Sequence, residues 1–225
     1  MTGMISIMIK AVIFDMDGVI VDSEPMYAHA NAAALEEFGL SMPADYYLGY
    51  AGTSKYNIMK TLIEQHGIDT TVSELCAAAD AQYGLLLKRE GFTEVPGVCN
   101  FIKKLIQSNL RLAVASSSQY DNIYSVLDYF HLNKYFEVIL SGSDENVRPK
   151  PAPDIYIKAV NALNIMPSEA AAIEDTDTGL QSAHSAGLLC YAYRNKNSGN
   201  QSLTLAHKVI NDYNIIVDYD YKFII

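Results

Sequence analysis

Two carboxylates stand one residue apart, Asp15 and Asp17, at the end of the apolar run Ala11-Val12-Ile13-Phe14, and Gly18 follows them. Side chains two apart on an extended segment point the same way, so both acids would face one side of whatever the strand abuts. Carboxylates held together repel, and either one is protonated or a cation sits between them. Gly18 permits a tight turn there. By itself a D-x-D-G segment is better explained by a strand-end turn with a helix-capping aspartate.

Three later segments bear on that choice. Ser116, Ser117 and Ser118 close a second apolar run just before a helical pattern, and hydroxyls with free N–H groups at a helix start can hold an anion. Lys150 lies between Pro149 and Pro151 in "RPKPAPDIY", a stiff loop that can aim one ammonium group at little entropic cost. Glu174 and Asp175 end a further apolar run in "IEDTDTGLQSAHSAG", with Asp177 as a candidate helix cap. Serine capping, a solvated lysine and an acidic cap would each explain one segment. All of them at the ends of successive strands meet the needs of phosphoryl transfer: a nucleophile, a divalent metal and fixed positive donors. An all-oxygen carboxylate set selects Mg²⁺.

The elements that would position these groups alternate. Continuous apolar runs occur at 11–14, 112–115, 138–140, 171–173 and 188–192, as in strands buried on both faces of a parallel sheet. Helical patterns fall between them at 98–108, 120–129, 153–163 and 178–186, with Pro96-Gly97 and Pro167-Ser168 marking starts and Gly187 an end. This order predicts an α/β fold with a doubly wound, Rossmann-like parallel sheet. Open sheets of this kind bind ligands at the carboxyl ends of their strands. Residues 24–89 break the rhythm with alanine-rich helical segments and no strand, which predicts an inserted helical domain. The expected division is 1–22 and 93–225 for the α/β core and 23–92 for the insertion, with Pro and Gly at the flanks. The segment "AHKVINDYNIIV" could add an edge strand or a helix.

Half of the 225 residues are hydrophobic and the formal net charge is −10. That balance disfavours nucleic acid and anionic membranes as partners. Cys76, Cys99 and Cys190 show no metal or redox spacing and read as buried free thiols of a reducing compartment. The opening "MTGMISIMIK" lacks a basic start and a cleavage site. The expectation is a cytoplasmic protein with a short extension, residues 1–8.

The four segments "DMDG", "ASSS", "KPAPD" and "EDTDTG", in that order, resemble the motifs of the haloacid dehalogenase superfamily of aspartyl-phosphate enzymes. The resemblance spans nearly the whole chain, and the insertion resembles the small helical cap of the β-phosphoglucomutase-like and phosphatase branch. It implies Asp15 as the nucleophile and Asp17 as general acid and then base. It implies phosphate contacts from Ser116, the Ser117 N–H and Lys150. Mg²⁺ would be held by Asp15, the Asp17 carbonyl and Asp175, with Glu174 as a further ligand or an acid behind it. A dehalogenase is expected to lack an acid at position 17.

The resemblance further implies a small phosphorylated metabolite, of the sugar-phosphate kind, as substrate and a monomer as the working form. A β-phosphoglucomutase would carry Lys, Arg and His where this chain has Ala51, Lys55 and Tyr27, and lysine does not reproduce a bidentate arginine clamp. The departure favours a phosphatase over a mutase, with Lys55 and Tyr27 as candidate substrate contacts. A third possibility, a phospho-accepting signalling domain without turnover, sits poorly with the chain length and with an acid pair on the first strand.

Overall fold

In the computed structural model, residues 9–50 and 54–213 are described. The stretch Met1–Met8 and Ala51, named above as an extension and as a departure from the mutase pattern, lie outside them. The described residues divide into two compact units: an α/β unit from 9–21, 94–195 and 201–213, and a helical unit from 22–50, 54–93 and 196–200.

The α/β unit is built on six parallel strands, β1 (Ala11–Phe14), β2 (Arg111–Ser116), β3 (Val138–Ser141), β4 (Ala170–Glu174), β5 (Leu189–Tyr193) and β6 (Lys208–Ile210). Their order is β3-β2-β1-β4-β5-β6. Phe14 pairs with Val114 of β2 on one side and Ile173 of β4 on the other. The strand order therefore reverses at β1, and the acids that follow Phe14 emerge at the switch point where open sheets take ligands. The segment after residue 207 contributes an edge strand, one of the two forms left open by its sequence.

Strand alternation divides the core. Ala11, Ile13, Ala113, Ala115, Ala172 and Cys190 pack under α7 (Asp154–Ala162) and α8 (Asp177–Ser185) through Ile155, Tyr156, Ala159, Leu180 and Ala183. Alanine dominates the sheet side, so these helices approach closely. On the opposite face Phe14 meets Phe101 of α5 (Val98–Gln107) edge-on at 6.2 Å and Phe136 at 6.0 Å. Phe101 then stacks on Tyr213, and Tyr213 on Tyr193. The aromatic row crosses the sheet from the β3 side to the β6 side.

The helical unit comprises α1 (Glu24–Glu37), α2 (Asp45–Leu48), α3 (Lys55–His66) and α4 (Val72–Glu90). Ser54 caps α3, Gly67 ends it at φ 64°, and Thr71 with Glu74 forms a capping box at the start of α4. Leu35, Met59, Leu62, Leu75 and Ala79 form its core.

Three local expectations need correction. Pro167-Ser168 starts only a short 3₁₀ turn, Pro167–Glu169, because β4 begins at the next residue. Asp177 is not the cap of α8: the Thr176 hydroxyl accepts the Gly179 N–H, while Asp177 accepts the Ser202 and Leu203 N–H groups. Of the three free thiols only Cys190 is fully buried; Cys76 and Cys99 are half-buried.

Candidate active site

Asp15 continues β1 by one residue, its N–H donating to Ile173 O at 2.9 Å. Parity puts its side chain on the α7/α8 face with Ala11 and Ile13. Lys150 reaches it from the loop that ends at α7: its Nζ donates to Asp15 Oδ1 at 2.6 Å, to Ala115 O at 2.9 Å and to Glu174 Oε1 at 2.6 Å. The lysine side chain is only 8% exposed, against 11% for Asp15 and 1% for Glu174. One ammonium group thus ties the ends of β1, β2 and β4 together. Arg148 and Asp154, paired at 2.7 Å, brace the two ends of the loop that carries Lys150.

Glu174 is held from three sides. The Tyr156 hydroxyl of α7 donates to Oε1 at 2.5 Å beside the Lys150 bond. The flat face of the carboxylate lies against Gly179 at the start of α8, where a Cβ built on Gly179 would fall 2.0 Å from Oε2 and 2.1 Å from Cδ. Glycine is therefore required at 179 by close approach. Burial lifts the Tyr156 phenol well above its usual pKa, and the Glu174 and Asp15 charges add to that, so the phenol remains a donor.

The ligand oxygens of Asp15, Glu174 and Asp175, all buried, lie within 4.8 Å of one another. Burial pushes Asp15 up to about 8, with Lys150 pulling it down and Glu174 and Asp17 adding to the rise. Burial also works against the charge on Lys150, yet the two carboxylates beside it hold its pKa above the ordinary value. Three buried carboxylates facing one ammonium leave the cluster short of positive charge. A hard divalent cation with oxygen ligands would supply it, and the donor set fits such an ion.

Asp17 is half-buried and reaches this cluster electrostatically, as its effect on Asp15 shows. Its Oδ2 accepts the Ser118 hydroxyl at 2.9 Å. Ser116 is buried, its Oγ accepting the Ser118 N–H at 3.0 Å; Ser117 is exposed. The serine loop is buttressed by β3: Ser141 Oγ donates to Ser118 O at 2.6 Å, and the Gly142 N–H to Ser116 O at 2.7 Å. At Gly142 a Cβ would meet Ser117 Cα at 3.1 Å.

The structure thus brings Asp15, Asp17, Ser116, Lys150, Glu174 and Asp175 to one rim of the sheet, with Ser117 on the same loop as Ser116. Tyr27 and Lys55 belong to the helical unit. Tyr27 stacks on Tyr83 at 4.5 Å between centroids, and Lys55 pairs with Asp80 of α4. Sequence reasoning missed Tyr156 and Gly179, and it named Ser118 as a hydroxyl for an anion rather than as the donor to Asp17. Ser118 stood inside a quoted motif, and Tyr156 is the only phenol in α7, six residues beyond Lys150.

A parallel sheet with a buried carboxylate–lysine cluster at its switch point fits an α/β enzyme core. The chain belongs to the Haloacid dehalogenase-like hydrolase family, whose model matches residues 12–193. It is 30% identical over 183 residues to the phosphorylated carbohydrates phosphatase of Thermotoga maritima, covering 80% of this chain and 82% of that protein. It is 28% identical over 185 residues to the β-phosphoglucomutase of Bacillus subtilis, covering 80% of each. In fold it is similar to CbbY of Rhodobacter sphaeroides, solved with phosphate, at a TM-score of 0.77 and 23% identity over 93% of this chain and 96% of that one.

Proposed function

We propose that the protein is a phosphatase of small phosphorylated metabolites, sugar phosphates foremost, that works through an aspartyl phosphate on Asp15. The supporting observation is the junction of Asp15, Lys150 and Glu174 at bonds of 2.6 Å, with Asp175 beside them and Asp17 two residues on. In this reading an Asp15 carboxylate oxygen attacks phosphorus, the bond to the ester oxygen breaks, and Asp17 protonates the departing alkoxide. Water then attacks the acyl phosphate while Asp17 takes its proton, which frees inorganic phosphate and restores Asp15. Proton transfer of this kind is worth roughly 10²–10⁴ in rate.

Lys150 neutralises Asp15 and the incoming phosphate. Ser116 accepts the Ser118 N–H, which leaves its own hydrogen for a phosphate oxygen, and the Ser117 N–H takes another. Asp15, the Asp17 carbonyl and Asp175, with Glu174 as a further ligand, would hold Mg²⁺, which supplies charge neutralisation and orients the phosphate. Residues 23–92, the cap of the family resemblance, are the part we assign to substrate selection.

The B. subtilis relative keeps a mutase in view. Two features weigh against it: Tyr27 is engaged with Tyr83, and Lys55 is paired with Asp80. A screen of hexose and pentose phosphates with Mg²⁺, including β-glucose 1-phosphate with its 1,6-bisphosphate, separates the cases. Phosphate release supports hydrolysis; conversion to glucose 6-phosphate without release overturns it in favour of the mutase.

A further inference from the structure

The six residues Met16–Val21 carry Asp17 from β1 towards α1, and backbone hydrogen bonds close the turn on itself. Met16 O accepts the N–H groups of Val19, Ile20 and Val21, at 3.3, 2.8 and 3.1 Å; the Gly18 N–H donates to Val21 O at 2.8 Å, and Ile20 O accepts the Val95 N–H at 2.9 Å. The consecutive carbonyls of Gly18 and Val19 are each met by a side chain from more than 170 residues away. Asn195 Nδ2 donates to Gly18 O at 3.1 Å. The Tyr213 hydroxyl donates to Val19 O at 3.2 Å.

Both donors are fixed. Asn195 follows β5, its N–H donating to Tyr193 O at 3.0 Å. The Tyr213 ring is clamped between Tyr193, at 4.6 Å and 8°, and Phe101, at 5.1 Å and 25°. Tyr213 is wholly buried and Asn195 is 9% exposed. Both stand beyond residue 193, where the match to the family model ends.

From this geometry we propose that Asn195 and Tyr213 are positioning residues for Asp17. They hold the turn on one side while the Ser118 hydroxyl holds the Asp17 carboxylate on the other. The inference rests on Asp17 acting as the proton donor. Buried carbonyls need donors for stability alone, so the two roles must be separated by experiment. A merely structural pair would change folding and leave the ratio of rates on different esters alone. A positioning pair selectively slows esters whose leaving oxygen needs a proton.

The variants are Tyr213→Phe, which keeps both ring stacks, Asn195→Ala, and the double variant, each assayed below its unfolding range. We expect kcat on glycerol 2-phosphate to fall about tenfold in the double variant, while the aryl ester p-nitrophenyl phosphate should lose under about threefold, with KM steady on both. Amide exchange at residues 16–21 should quicken while that of 11–14 is unchanged. Asp17→Asn on the same two esters is the control. If it is selective for the alkyl ester and the double variant is not, the inference falls and the role of Asp17 stands. Unchanged exchange at 16–21 overturns the inference whatever the rates. If Asp17→Asn is itself unselective, the proton-donor reading fails and takes the inference with it.

Discussion

Replacing Gly179 with alanine should damage the active site from a helix residue that makes no bond to substrate. The new Cβ would stand 2.0 Å from Glu174 Oε2 and 2.3 Å from Oε1, more than 1 Å inside ordinary contact. A carboxylate at the end of a flexible chain could usually swing away at little cost. Here swinging away stretches the Lys150 bond at 2.6 Å and the Tyr156 bond at 2.5 Å. Hydrogen bonds to a charged group contribute about 1.5–3 kcal/mol each. The helix gains at most about 1 kcal/mol from Gly→Ala, so the loss prevails and stability should fall by about 1–3 kcal/mol. A displacement near 1 Å at a reacting centre costs about 10²-fold in rate. The assay is kcat on p-nitrophenyl phosphate with urea unfolding alongside. The decisive comparison is Gly179→Ala made in a Glu174→Ala background, where the carboxylate is gone and the added methyl should cost nothing further. A single variant within twofold of wild type, or an equal penalty in both backgrounds, would refute the reasoning.

Tyr156→Phe keeps the buried ring and removes one donor to Glu174; it should cost about 1–2 kcal/mol in unfolding free energy and weaken Mg²⁺ binding read by titration. Mg²⁺ at about a hundred times its Kd should stabilise the protein by about 2.7 kcal/mol; EDTA should reverse this, and Asp175→Asn should abolish it. The Arg148 bonds hold Asp154 down at about 2 from its ordinary 3.8. A depressed carboxylate stabilises above its unfolded value and loses that contribution as pH falls through its folded one. Asp154→Asn should therefore lower Tm relative to wild type at pH 5, with the difference closing between pH 4 and about 2.

Much of this architecture could be read from local signals. The runs at 11–14 and 171–173 are apolar without alternation, which is how a strand covered on both faces must look, and both proved central. Three of the four chemical segments were legible because they close or directly follow a strand, and the Lys150 segment because prolines flank the lysine. What escaped reading depends on contacts distant in sequence. Tyr156 occupies an apolar stripe of α7, and only the packing of α7 over the sheet turns its hydroxyl towards Glu174. Gly179 looks like any glycine in a helix start until the carboxylate lying against it is seen. Asn195 opens a polar loop and Tyr213 lies in weakly patterned sequence, and their bonds reach back to residues 18 and 19. Asp177 misled because Thr176, one residue earlier, competes for the same capping role.

Trapping the covalent enzyme tests the account most directly. Wild-type protein quenched in acid during turnover of p-nitrophenyl phosphate with Mg²⁺, then digested and sequenced by mass spectrometry, should carry one phosphoryl group on Asp15. Turnover that proceeds with the label on another residue, or that persists at wild-type rate in Asp15→Asn, would contradict it.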